Sequence, residues 1–182
     1  MYDQAQRYWL LYTAPELIEE ALKQKIQEIS IGAKLKDYRI KNLDDLNTPV
    51  ALDYSFQGPE YFTSAGFLRI MPQLSFLDTS LVAKDRRNYP IDFNILESKE
   101  TILEVAIPDN FKLKYIPQSI AQDNPWFKFS VEYSLKGSTI YFRQNTQLKK
   151  TQVTEAEYGE FKKLFEGLAK KVKQRVILEK KK

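Results

Sequence analysis

The run FKFSVEYSLKGSTIYFR, residues 127–143, constrains the fold more than any other segment of this chain. Phe127, Phe129, Val131 and Tyr133 fall on one side of an extended strand, and Lys128, Ser130 and Glu132 fall on the other. A helix does not gather alternate residues on one face, so the run predicts a half-buried strand. Lys136-Gly137 supplies a turn, and Thr139-Ile140-Tyr141-Phe142-Arg143 a return strand, which together predict a hairpin. The same alternation recurs in VALDYSFQ, residues 50–57, until Gly58-Pro59 breaks it. Weaker patterns predict strands over 33–41, 65–71 and 111–116, a polar turn over 42–49 and a packed crossover over 72–84.

The stretch RRNYPIDFNILESKETILEVAIP, residues 86–108, reads as a strand begun by Pro90 and a hairpin partner from Thr101 to Ile107. Proline lacks an N–H and suits a strand's first residue or an edge. A solvated strand entry accounts for Arg86 and Arg87, and a ligand site is the competing reading.

Two amphipathic helices flank the strands. Thr13-Ala14-Pro15-Glu16 predicts a capping-box start, and Ile18, Leu22, Ile26 and Ile29 then recur at helical spacing, placing a helix near 14–30. Thr154-Glu155-Ala156-Glu157 predicts a second capping box, followed by an apolar stripe of Tyr158, Phe161, Phe165, Leu168 and Val172. Val176-Ile177-Leu178 is apolar on all sides and suits a buried closing strand. Short turns favour antiparallel pairing. The expected fold is therefore α+β, a mainly antiparallel, sandwich-like sheet with one N-terminal and one C-terminal helix. The expected organisation is an N-terminal lobe over 1–84 and a β-sandwich-like lobe with its helix over 85–182, packed as one unit.

Composition narrows the chemistry. The 182 residues include no Cys and no His. Disulfides, thiol nucleophiles, imidazole bases and the usual zinc ligands are thereby removed. The six glycines make no dinucleotide or phosphate loop, and no serine-hydrolase elbow is present. No cofactor or metal site is expected. Asp44, Asp45, Glu97, Glu100, Glu104, Asp109 and Asp123 are available for carboxylate chemistry, but turn formation and solvation account for them.

The net charge of +4 is uneven: residues 149–182 hold 11 Lys and Arg against 5 Asp and Glu. In the last helix Glu155, Glu160 and Glu166 interleave with Lys162, Lys163, Lys170, Lys171 and Lys173, as helix stability requires. No nucleic-acid partner is expected. No apolar run approaches the roughly 20 residues of a membrane helix. WLLY, with no basic segment before it, is too short for an export signal, which would have to lie outside this chain.

The order of several short motifs carries a resemblance. These are Asn42-Leu43-Asp44-Asp45-Leu46 with Pro49, Arg87 with Pro90-Ile91, Glu100-Thr101-Ile102 leading to Ile107-Pro108, Tyr115-Ile116-Pro117, the hairpin around Gly137 with Arg143, and Tyr158-Gly159-Glu160-Phe161. In this order they resemble the C-terminal β-rich domain of unknown function in bacterial transglutaminase-like proteins, multidomain chains with a papain-fold core. The resemblance implies that the chain is the tail of a larger protein, periplasmic or at the cell surface. It implies a non-catalytic accessory domain, structural or recognitive, partnered by the parent's core and by a cell-envelope glycan or peptide. That family's core uses Cys, His and Asp, so no catalytic residue carries over. An independent glycan- or peptide-binding module is the second reading, with Arg86, Arg87, Trp126 and Arg143 as candidate binding residues and Tyr61 and Phe62 as further aromatics. A carboxylate-dependent hydrolase is the third.

Overall fold

The computed structural model describes residues 2–181, with the side chains of Tyr2 and Asp3 left aside. The chain divides into two units, one up to Thr63 and one from Ser64 onward.

The first unit holds helices α1 (Tyr2–Tyr12) and α2 (Pro15–Ile29) and strands β1 (Lys34–Lys41) and β2 (Ala51–Gln57). β1 and β2 form an antiparallel pair with a register shift between Leu35 and Asp37. Leu10, Ile18 and Leu22 pack with Leu35, Tyr38, Ile40, Leu43, Val50 and Tyr54. Sequence reasoning did not anticipate α1, whose Tyr8, Trp9, Leu11 and Tyr12 stay exposed. The capping box expected at Thr13 is also corrected. Ala14 occupies the cap position without a side-chain hydrogen bond. The Thr13 N–H donates to the Trp9 carbonyl at 3.0 Å, so Thr13 closes α1 instead of opening α2.

The second unit contains β4 (Leu68–Ile70), β5 (Ile91–Asp92), β6 (Ser98–Ala106), β7 (Phe111–Tyr115), β8 (Ile120–Asp123), β9 (Phe127–Lys136), β10 (Thr139–Leu148), β11 (Gln152–Val153), α3 (Tyr158–Lys171) and β12 (Ile177–Lys180). The chain passes into it within β3 (Thr63–Ala65). One sheet has the order β6-β10-β9-β8, another β3-β4-β12-β7, and β11 pairs with β5. The β9–β10 hairpin forms as its alternation requires, with Gly137 at φ 58° in the turn. The described residues thus form an α+β fold, mainly antiparallel and sandwich-like.

Two expected strands are corrected. The stretch 65–71 is split by a turn at Gly66, φ 61°, between β3 and β4. Residues 86–108 do not fold into their own hairpin. β6 pairs with β10 along nine positions, while Ile91 and Asp92 pair with Val153 and Gln152. Asn94, at φ 60°, donates its N–H to Asp92 Oδ1 at 2.8 Å and turns the chain away.

α3 lays its stripe on the sheet. Tyr158, Phe161, Phe165, Leu168 and Val172 share a core with Trp126, Phe127, Phe129, Val131 and Phe142. Leu74, Leu77 and Leu81 of the crossover pack against it. β12 pairs with β4 on one side and β7 on the other, which buries Leu178 completely.

The capping box before α3 forms reciprocally. The Thr154 N–H donates to Glu157 Oε2 at 3.1 Å, and the Glu157 N–H donates to Thr154 Oγ1 at 3.4 Å. Lys150 Nζ adds a bond to Glu157 Oε1 at 2.7 Å. That ammonium first, and the Thr154 donors next, hold the Glu157 carboxyl down at about 2. A carboxyl lowered in the fold stabilises it above the ordinary value of 4.5, and the contribution fades as pH falls from there toward 2. Glu157→Gln is therefore expected to flatten the stability profile across that window, read by urea unfolding at stepped pH. Thr154→Ala is expected to cost about 1 kcal/mol near neutral pH.

Candidate functional site

A concavity of the second unit lies between β8 and α3. Two depressions of about 330 and 310 Å³ share Gln122 and Lys171. The first is lined on the helix side by Glu160, Lys163, Leu164, Gly167 and Lys171. The second continues past Gln118, Ser119 and Ala121 toward Gln174. Residues 118–121 thus lie toward the end of the helix, while Gln122 lines both depressions and joins them into one trough. Gln122 opposes Phe129 in the β8–β9 register and so shares the sheet face that α3 covers.

Leu164, Leu168 and Ile120 give the trough apolar surface, and its polar groups are mainly amide and ammonium, with the Ser119 hydroxyl besides. Gln118, Gln122 and Gln174 offer donors and acceptors, while Lys163 and Lys171 offer charge. Glu160 is its one carboxylate. A single carboxylate can act as an acid or as a base, but a glycosidase needs a second on the other side of the bond. None of the acids singled out from the sequence lines the trough, and three of them are used elsewhere. Glu100 is 2.6 Å from Arg143, and Asp123 bonds Lys149. Asp45 accepts the Thr48 hydroxyl at 2.5 Å and the Asn47 N–H at 2.9 Å, which lower its carboxyl below the usual range. Among the described residues no three acidic side chains gather as a metal site would require.

None of the four residues singled out as binding candidates lines the trough. Trp126 is 2% exposed, and its ring meets Phe161 edge-on at 5.6 Å. Its backbone is fixed too, since the Trp126 and Phe127 N–H groups both donate to Asn124 Oδ1 at 3.0 Å. Arg87 lies over the Tyr158 ring at 5.5 Å and donates to the Leu81 carbonyl at 2.9 Å, pinning the crossover to α3. Arg86 beside it is exposed, as is Tyr89. Arg143 sits on an exposed position of β10 in its ion pair with Glu100. Tyr61 is buried and meets Phe62 edge-on at 5.4 Å.

The trough residues carried a faint sequence signal. Lys163, Gly167 and Lys171 recur at intervals of four, a line along one flank of the helix with its middle left bare. The strand side carried less, because β8 has only four residues.

No helix of the described residues is long and apolar enough to cross a membrane. No curated protein matches the chain. A crystal structure of a protein from Parabacteroides distasonis, provisionally designated a protease, is 21% identical with a TM-score of 0.48. The likeness covers 62% of this chain and 23% of that one, so the chain spans less than a quarter of the length of the protein it matches. Residues 67–178 match the family described as a Domain of Unknown Function with solved-structure structure, DUF3858. That segment is more than half of the sequence and runs from before β4 into β12, and the chain belongs to this family of domains of unknown function.

Proposed function

We propose that the chain is a non-catalytic accessory domain of a transglutaminase-like multidomain protein of the periplasm or cell surface. Its work there is recognition beside the catalytic core. One observation carries this reading: the polar groups of the trough are amides, lysines, one serine hydroxyl and a lone carboxylate, in a sequence with neither thiol nor imidazole. Such a lining holds a polar ligand by hydrogen bonds and charge. Its one hydroxyl, that of Ser119, accepts the Tyr133 N–H at 3.3 Å and has no hydrogen bond to a base among the described residues, whereas acyl transfer needs a nucleophile so paired. The motif order quoted above supports the parent's identity, and membership of a domain family without assigned function is compatible with it.

The test has two arms. The full chain, added to the catalytic core of its parent, is expected to raise the core's melting temperature or its kcat/KM. The chain alone is expected to leave amide, ester and glycoside substrates intact. Turnover by the chain alone that disappears in Glu160→Gln would overturn the reading in favour of a carboxylate hydrolase.

A further inference from the structure

We infer that the β8–α3 trough receives an extended peptide segment with acidic residues at positions i and i+4 and an apolar residue at i+2. The segment adds as a strand to the free edge of β8. This deepens the recognition reading above and rests on it.

The first support is the open edge. β8 ends its sheet, pairing with β9 on one side and with no strand of the described residues on the other. An end strand presents a row of unpaired N–H and C=O groups, the usual template for an added strand. The second support is spacing. Lys163 and Lys171 are eight residues apart on α3, about 12 Å along the helix axis. Side chains i and i+4 of an extended strand stand about 13 Å apart on one side. A segment lying between helix and β8 therefore brings two of its own side chains opposite the two ammonium groups. The third support is the space between them. Gly167 falls midway, where an added Cβ would touch nothing within 4 Å, and half-buried Leu164 lines the same depression. An apolar side chain at i+2 fills that gap.

Charge decides between acidic and basic occupants. Lys112, Lys114, Lys149, Lys150 and Lys162 each pair with an acid of the domain. Lys163 and Lys171, like Lys170 and Lys173 nearby, have no ion pair among the described residues, and of these four only Lys163 and Lys171 line the trough, with Glu160. Two cations against one anion leave a surplus that an acidic segment neutralises.

The test is fluorescence anisotropy of the full chain with a labelled eight-residue peptide of Thr, carrying Glu at the third and seventh places and Val at the fifth. Saturable binding is expected, weakened about tenfold or more in Lys163→Glu/Lys171→Glu and by salt well above physiological strength. Lys163→Gln/Lys171→Gln, which removes charge without reversing it, is expected to fall between. Strand addition predicts that methylating one alternate set of the peptide's amide nitrogens abolishes binding while methylating the other set does not. Absence of saturable binding would overturn the inference. So would binding unchanged in the charge-reversed variant, or tighter binding of an oligogalacturonide of equal charge. If the peptide fails while the chain still stabilises the catalytic core, the trough's ligand is wrong and the accessory role survives. If the peptide binds as described and the core is unaffected, the accessory role fails and the trough's ligand stands.

Discussion

Phe161→Ala is expected to remove about 4 kcal/mol from the stability of the second unit, the cost of truncating a fully buried phenylalanine. Phe161 is 1% exposed and sits at the centre of an aromatic group. Its ring meets Trp126 edge-on at 5.6 Å, Phe127 at 6.2 Å and Phe93 at 6.4 Å, and stacks on Phe165 at 5.4 Å. Edge-to-face pairs add attraction beyond the area they bury, and one substitution takes away several. The void would lie between α3 and the β9 face of the sheet, where the helix is held by this packing and by the capping box at its start. A typical domain has only about 5–15 kcal/mol in total, so the loss is a large share of it. Phe161→Leu keeps most of the volume and is expected to cost about half as much. Urea unfolding followed by tryptophan emission reads the change directly, because Trp126 packs against the deleted ring. A midpoint shift equivalent to less than about 1 kcal/mol would mean that the core closes over the gap, and that the aromatic group is less central than its geometry says.

This core was legible in the sequence because its two halves are local patterns. Phe127, Phe129 and Val131 alternate within a few residues, and Tyr158, Phe161 and Phe165 recur at helical spacing. The pairing of β6 was not legible. Thr101 to Ala106 alternates as any strand does, but its partner, Gln144 to Thr139, lies some forty residues on, and alternation says nothing about which strand is opposite. The nearer candidate, Ile91 to Ile95, looked suitable until Asn94 took a left-handed conformation. α1 was hidden for another reason. Tyr8, Trp9 and Tyr12 are indifferent helix formers, and the buried Arg7 interrupts the apolar stripe by which a helix is recognised. The trough needed two elements about forty residues apart to be placed side by side, and one of them, β8, is too short to announce itself. Trp126 shows the converse. An aromatic near a turn reads equally well as a ligand platform or as a core residue, and only its contact with Phe161 decides between them.

Arg7 is where the first unit is expected to be most sensitive. It is 5% exposed, and its guanidinium donates to the carbonyl oxygens of Asn42, Leu43 and Thr48, the last two of these bonds coming from different nitrogens. The segment 42–49 has no regular pairing of its own, yet its carbonyls need donors. A planar fork can serve several carbonyls at once, which a single ammonium cannot match. The clamp also positions Leu43, which packs on the core of Leu10, Ile18 and Leu22. Hydrogen bonds to a charged donor contribute about 1.5–3 kcal/mol each, but the bonds to one guanidinium are not additive, and an opened loop would be rehydrated. Arg7→Ala is therefore expected to cost about 3 kcal/mol, and Arg7→Lys to recover less than half of it. A unit of some sixty residues has roughly 3–9 kcal/mol to lose, so the Ala variant sits near its limit. Hydrogen exchange is the measurement that separates this from a general weakening. Amides of residues 43–50 should lose protection first and by the largest factor, ahead of those in the middle of α2. If α2 and the 42–49 segment lose protection together and equally, Arg7 holds the unit through its core contacts, and the carbonyl clamp is incidental.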